Sequence, residues 1–208
     1  MSNQPKFYYP NKMGRIILLA LEEVAGGNGV NATLNQAGLN HLVGNFPANN
    51  MDKQFSFEDL SCIQVALEQL YGPRGGRGVA LRAGRACFKY GLREFGPLLG
   101  FTDLAFRLLP LEVRLRQGAE NFAEIFNRFS DQRVTIVEQD DCFLWQIDRC
   151  PICWGRHTDA PACHLAVGLL QDALYWTSGG KIFSIEETHC TGHGDHACVI
   201  RIDKQATD

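Results

Sequence analysis

Residues 181–202, KIFSIEETHCTGHGDHACVIRI, read as two β-strands that flank a turn rich in metal-binding side chains. Alternate residues of a strand share one face, which predicts two core-facing sets: Phe183, Ile185 and Glu187, and Cys198, Ile200 and Ile202. A carboxylate on an apolar face is costly unless it is protonated or neutralised by a cation. Glu187 therefore indicates a cation beside this hairpin.

The rest of the chain supplies helices and a second strand pair. Apolar residues recur at helical spacing in segments 13–24, 57–71, 77–95, 117–129 and 161–176, and two short strands lie within 133–147. The order predicts an α+β fold, in which a helical N-terminal half packs on a four-stranded antiparallel sheet built in the order β-β-α-β-β. We expect one domain over 1–208, with a helical part at 1–130 and a metal-binding sheet part at 131–203.

Composition narrows the function classes. The net charge of −3 argues against bulk nucleic-acid binding, although residues 74–93 carry six basic and no acidic side chains. No apolar run is long enough for a membrane span, and the first residues lack the apolar centre of a secretory signal, which predicts a cytoplasmic protein. Eight cysteines in a reducing compartment are then buried hydrophobes, metal ligands or reactive thiols.

Three cysteines and one acid predict a metal site. Cys190 follows the strand that carries Glu187, and Cys198 opens the returning strand, so one hairpin supplies three ligands. Cys163, at the start of the 161–176 helix, is the fourth candidate, because a helix N-terminus stabilises thiolate. Sulfur-rich ligation with one carboxylate suits a closed, structural zinc site.

The remaining cysteines leave alternatives open. Cys150 and Cys153 form a C-x-x-C loop, which is a half-site for zinc or an iron–sulfur cluster, or a redox dithiol. An additional metal centre or redox-active thiols are both consistent with this pair. Cys62, Cys87 and Cys142 are isolated in apolar stretches and are interpreted as buried side chains.

Two stretches, CPICWGRHTDAPACHLAVGLLQDALYW at 150–176 and GGKIFSIEETHCTGHGDHACVIRI at 179–202, resemble the 4-vinyl-reductase domain. This small-molecule-binding family is named for a bacteriochlorophyll biosynthesis protein and also occurs in phenol- and xylene-responsive transcription activators. The resemblance implies a fold related to vesicle-tethering TRAPP subunits, a homodimer, and a zinc held by Cys163, Glu187, Cys190 and Cys198. The C-x-x-C pair at Cys150 and Cys153 departs from the pattern of the phenol- and xylene-responsive activators.

The resemblance also implies an apolar cavity between helices and sheet for a hydrophobic or aromatic ligand. Candidate walls are Phe88, Leu92, Phe122, Phe126 and Trp145, although aromatic stripes at helical spacing are also typical of a plain core. No nucleotide-cofactor fingerprint follows a strand, which argues against independent catalysis.

Three functional hypotheses follow from these features. The first is a stand-alone, metal-stabilised binding protein or sensor, with a tetrapyrrole precursor as one candidate ligand. The second is a redox or iron–sulfur protein, or an accessory factor in tetrapyrrole 4-vinyl reduction. The third is an assembly module with no ligand of its own.

Overall fold

The structure, a computed structural model, describes residues 6–99 and 104–207. Its helices are α1 (Asn11–Gln36), α2 (Phe57–Phe95), α3 (Leu104–Arg107), α4 (Leu111–Phe129) and α5 (His164–Ser178). Its strands are β1 (Tyr8–Pro10), β2 (Lys53–Ser56), β3 (Val134–Glu138), β4 (Cys142–Ile147), β5 (Phe183–His189) and β6 (Cys198–Ala206). Short 3-10 turns occur at Asn40–Leu42, Gly96–Leu99 and Thr191–His193.

The two long helices each contain a break at a glycine. Gly26 in α1 and Gly72 in α2 adopt φ values of 74° and 71°, which L-residues with a side chain avoid. The break at Gly72 lies where the sequence predicts the boundary between segments 57–71 and 77–95. The first half of α2 begins at a capping box, in which Ser56 and Asp59 each bond the other's backbone N–H.

Four strands form one antiparallel sheet in the order β3-β4-β6-β5. With α5 inserted between β4 and β5, this confirms the predicted α+β class and the β-β-α-β-β order. Ile147 pairs with Cys198, and Trp145 pairs with Ile200, so these side chains share the buried face of the central strands. Of the predicted core-facing residues of β5, Phe183 and Glu187 are buried, and Ile185 is half-buried and packs against the core.

Helix α5 crosses α2 at unusually close range. A methyl group built on Gly84 would overlap the backbone carbonyl of Leu165, and one on Gly168 would overlap that of Leu81. Both positions therefore require glycine for backbone contact rather than for unusual dihedral angles. The crossing holds the start of α5 against the helical layer, close to the cysteine-bearing loop that precedes it.

Several elements lie outside the sequence prediction. Strands β1 and β2 form a separate two-stranded antiparallel sheet, α1 continues beyond its glycine break to Gln36, and α4 begins at Leu111 rather than at 117. Buried apolar residues from α1 through β6 form one continuous cluster. Across 6–99 and 104–207, no helix is long and apolar enough to cross a membrane.

Candidate metal centre and adjoining cavity

Five cysteines and one glutamate meet in the interior. One set of mutually close ligand atoms contains Cys150, Cys153, Cys163 and Cys198, and a second contains Cys163, Glu187, Cys190 and Cys198. Within each set all ligand atoms lie within 4.8 Å of one another, and every residue is buried. The second set consists of the four ligands predicted from the sequence, and the first adds the C-x-x-C pair to the same place.

Three parts of the fold bring these side chains together. Cys150 and Cys153 lie in the loop between β4 and α5, and Cys163 immediately precedes α5. Glu187 lies on β5, Cys190 follows that strand, and Cys198 begins β6. The cluster therefore joins both halves of the β-β-α-β-β unit.

The separations between sulfur atoms suit shared metal ligation. The Sγ–Sγ distances are 3.4 Å for Cys150–Cys163 and for Cys153–Cys198, and 3.7 Å for Cys163–Cys198. Cys190 Sγ lies 3.9 Å from Cys163 Sγ and 4.0 Å from Cys198 Sγ. Tetrahedral zinc with Zn–S bonds of about 2.3 Å places its sulfurs roughly 3.8 Å apart, so the residues present fit such an ion.

Glu187 is the carboxyl group of the cluster, and it is buried. Its Oε2 accepts a hydrogen bond of 2.7 Å from the backbone N–H of Cys163, whereas its buried Oε1 has no hydrogen-bond partner in the part of the chain that the structure describes. Burial raises the pKa of Glu187 to about 8. A cation in the cluster would provide Oε1 with a partner and would favour the carboxylate.

The thiols compete for protons in the same way. Hydrogen bonds from Cys150 and Cys163 hold the pKa of Cys153 far below its ordinary value. Contacts with Cys150 and Cys153 raise the pKa of Cys198 far above the ordinary value. Five thiols packed this closely cannot all ionise without a positive charge nearby. A divalent thiophilic ion would supply that charge.

Polar contacts hold the loops around the cluster in place. The Arg156 guanidinium, whose side chain is 7% exposed, donates to both carboxylate oxygens of Glu68 at 2.7 and 2.8 Å, which anchors the cysteine loop on α2. Asp195 accepts a hydrogen bond of 2.8 Å from the Cys190 backbone N–H and so shapes the turn between β5 and β6.

The other candidate ligands lie elsewhere. His189, His193 and His196 of the turn are exposed and belong to neither ligand set. Cys142 is buried on β4 with its thiol 3.1 Å from Gln139 Oε1, Cys62 is half-buried on α2, and Cys87 is buried on the same helix. Helix α5 begins at His164 rather than near 161, and the two residues before it, Ala162 and Cys163, are buried.

A cavity lies beside the cluster, between the helices and the sheet. The five residues singled out from the sequence all line it: Phe88, Leu92, Phe122, Phe126 and Trp145. The space within it that is open to water-sized molecules is about 90 Å³. Its aromatic rings interlock, with Phe122 in tilted contact with Trp145 at 5.6 Å and edge-to-face with Phe126 at 5.4 Å between ring centroids.

One buried polar pair faces this apolar cavity. Tyr9 of β1 donates a hydrogen bond to Oε1 of Gln132, and both side chains are buried. Burial raises the pKa of Tyr9 well above its usual value, so its hydroxyl stays protonated. Burial likewise raises the pKa of the lining residue Cys87 to about 12.

Cavity and cluster share backbone segments. Ile152 lies between Cys150 and Cys153 in sequence, and its side chain lines the cavity. Leu165 and Ala166 do the same just after Cys163, and Ile147, the pairing partner of Cys198, lines the cavity from β4. Any change in the position of the cysteine loop therefore alters a wall of the cavity.

Part of the cavity wall was not predicted from the sequence. Helix α1 contributes Met13, Ile16 and Ile17, and the polar pair comes from Tyr9 and Gln132. The apolar stripe of α1 was visible as helical spacing, but nothing in the sequence indicated that it faces this space. Tyr9 and Gln132 are 123 positions apart, and no local pattern joins them.

Comparisons with known proteins support the fold. No family model matches the sequence, and no curated protein matches it. An H-NOX protein from K. algicida, in the Fe(II) unliganded state, superposes with a TM-score of 0.60 at 12% identity over 94% of this chain and 96% of that chain. An H-NOX protein from S. oneidensis, in the Fe(II)NO ligation state, gives 0.59 at 14% identity over 93% and 99%. The chain therefore has an H-NOX-like fold.

A further solved structure is the phenol-responsive sensory domain of the transcription activator PoxR, with phenol. It matches at 18% identity over 69% of this chain and 72% of that chain, with a TM-score of 0.46.

Proposed function

We propose that this chain is a metal-stabilised binding protein or sensor for a small apolar molecule. The observation that carries the proposal is a cavity with almost wholly apolar walls, one buried Tyr9–Gln132 pair and a backbone shared with a thiol cluster. An apolar pocket with a few placed polar groups is the usual form of a small-molecule site. The H-NOX-like fold supports the class, since one structural neighbour is an oxygen-binding H-NOX domain.

The cavity favours a ligand of about one aromatic ring. An open space of about 90 Å³ suits a phenol-sized or short aliphatic molecule better than a tetrapyrrole, which contains four linked rings. The aromatic walls formed by Phe88, Phe122 and Trp145 favour a ring that can pack edge-to-face. Tyr9 and Gln132 provide a place for one hydroxyl or carbonyl group.

The thiol cluster supports zinc as the structural metal. The short and similar Sγ–Sγ distances suit sulfurs that share one ion, whereas thiolates that bind different irons of an iron–sulfur cluster lie farther apart. Zinc there would join the cysteine loop, the start of α5 and the β5–β6 hairpin. The iron–sulfur alternative makes a distinct prediction, because a cluster absorbs visible light and zinc does not.

Ligand binding is tested by thermal shift and by tryptophan fluorescence with phenol, p-cresol, toluene, indole and a soluble tetrapyrrole. A single-ring compound is expected to raise the melting temperature and to change the emission of Trp145. If none of these compounds does either, the alternative of an assembly module without its own ligand is favoured.

A matched pair of glycine variants locates the binding. Gly91 and Gly78 both lie on α2, are half-buried, and have open space where a side chain would start, but only Gly91 lines the cavity. Gly91→Leu is expected to weaken binding at least tenfold by filling the space, and Gly78→Leu is expected to leave it unchanged. Equal effects of the two substitutions would contradict the cavity as the binding site.

Metal identity is tested on protein purified anaerobically without added metal. Zinc without visible absorption supports the proposed site, and iron with inorganic sulfide and broad visible absorption favours the redox alternative. The single domain, the homodimer, the cytoplasmic location and the lack of independent catalysis stay predictions from the sequence. Light scattering on the purified protein tests the dimer directly.

A further inference from the structure

The two ligand sets in the cluster overlap in two residues. Cys163 and Cys198 belong both to the set with Cys150 and Cys153 and to the set with Glu187 and Cys190. Their sulfurs lie 3.7 Å apart and form an edge common to both sets. This overlap is a property of the tertiary structure, since Cys163 and Cys198 are 35 positions apart.

The number of ligands distinguishes one metal from two. Two four-coordinate ions that share two bridging thiolates need six protein ligands: two terminal ligands for each ion and two bridges. The cluster contains five thiols and one carboxylate, which is that number. Thiolates are able to bridge because a sulfur with one negative charge keeps lone pairs for a second ion.

A single ion would leave two of the six clustered groups without a metal bond in either set. If it bound the first set, Glu187 Oε1 would stay buried with no partner among the residues that the structure describes. If it bound the second set, Cys150 and Cys153 would stay buried with their sulfurs 3.4 Å from those of two metal ligands, Cys163 and Cys198. Two divalent ions would use all six ligands.

Charge balance is compatible with a second ion. Six ionised ligands carry six negative charges and a pair of divalent ions neutralises four, which leaves a net charge of −2, equal to that of one ion with four ionised ligands and the two other groups protonated. Backbone N–H groups further stabilise the remaining charge: that of Thr191 donates to Cys198 Sγ at 3.3 Å, and that of Cys163 donates to Glu187 at 2.7 Å.

We propose that the cluster holds a pair of zinc ions bridged by Cys163 and Cys198. Cys150 and Cys153 complete one ion, and Glu187 and Cys190 complete the other. This inference deepens the metal site of the proposed function and rests on it. It assigns the C-x-x-C pair to metal binding rather than to redox exchange.

The test combines metal stoichiometry with cobalt substitution in the full chain. Elemental analysis is expected to give two zinc ions per chain. When the metal-free protein is titrated with Co(II), thiolate-to-cobalt absorption is expected to rise until two equivalents are bound. The electron paramagnetic resonance signal of the first cobalt is expected to weaken as the second binds, because bridging thiolates couple the two spins.

Variants assign the ions to their ligands. Cys150→Ser with Cys153→Ser, and Glu187→Gln with Cys190→Ser, are each expected to retain one ion, and Cys62→Ser with Cys142→Ser is the control expected to retain two. The wild-type titration does not depend on these variants folding.

Each other outcome of the wild-type measurement has one meaning. One ion per chain would overturn the pair and leave the single zinc of the proposed function. Two uncoupled cobalt ions would overturn the bridges. No bound metal would overturn both the pair and the proposed metal site.

Discussion

The Sγ atoms of Cys163 and Cys198 lie 3.7 Å apart, although Cys163 precedes a helix and Cys198 begins the last strand of the sheet. A metal bound by both sulfurs ties α5 to the β5–β6 hairpin. Because the cavity wall includes Leu165 and Ala166 at the start of α5, the same bond also fixes part of the cavity. Stability, metal content and ligand binding are thus expected to change together.

Cys163→Ser is expected to abolish metal binding and to destabilise the protein strongly. Cys163 belongs to both ligand sets, and a structural zinc site contributes on the order of 10 kcal/mol to folding. Metal content and the melting temperature of the purified variant measure the effect. The control is Cys62→Ser: Cys62 is a half-buried residue of α2 that belongs to neither ligand set, so this variant is expected to keep the metal of the cluster. Full metal content in the Cys163 variant would contradict the assignment.

Gly168→Ala is expected to lower the free energy of unfolding by about 1–3 kcal/mol, because the added methyl group forces the backbones of α5 and α2 apart. Urea denaturation measures the change. The control is Gly78→Ala on α2, where a methyl group meets open space and improved helix propensity is expected to add up to about 1 kcal/mol. A Gly168→Ala variant as stable as the Gly78→Ala control would show that α5 and α2 can move apart without a loss of stability.

Tyr9→Phe is expected to cost about 1–3 kcal/mol in unfolding free energy, because it leaves the buried Gln132 side chain without its donor. Gln132→Leu alone leaves the buried Tyr9 hydroxyl without its acceptor. The double variant is expected to recover part of the loss, since both polar groups are then removed. A double-mutant cycle by denaturation measures the coupling, and strict additivity would contradict it.

The Cys87 thiol is expected to resist alkylation at pH 8. Burial raises its pKa to about 12, and because the thiolate is the reactive form, only about one Cys87 in ten thousand is ionised at that pH. Reaction is expected to increase as the pH rises toward 12 or when the protein is unfolded in denaturant. Mass spectrometry of iodoacetamide-treated protein measures the modification. Rapid labelling of native Cys87 at pH 8 would contradict the buried, neutral thiol.

Much of the fold is encoded locally and was therefore predictable. The alternation in 181–202 placed Glu187 and Cys198 on the buried face, because side chains of a strand point to opposite sides with a period of two. Helical periodicity and the Gly72 break located α2 to within a few residues, because glycine alone readily adopts the φ of 71° at that break. The residues near the hairpin also indicated which side chains could hold a metal.

The tertiary structure decided what depends on distant segments meeting. The packing brought Cys150 and Cys153 to the same cluster as Cys190 and joined Tyr9 to Gln132 across 123 positions. It also formed the cavity that Trp145 lines. A single sequence specifies which side chains are apolar or ionisable, but not which of them face each other across an interface. The size of a cavity is the small remainder after helices and sheet have packed, so only the packed structure reveals it.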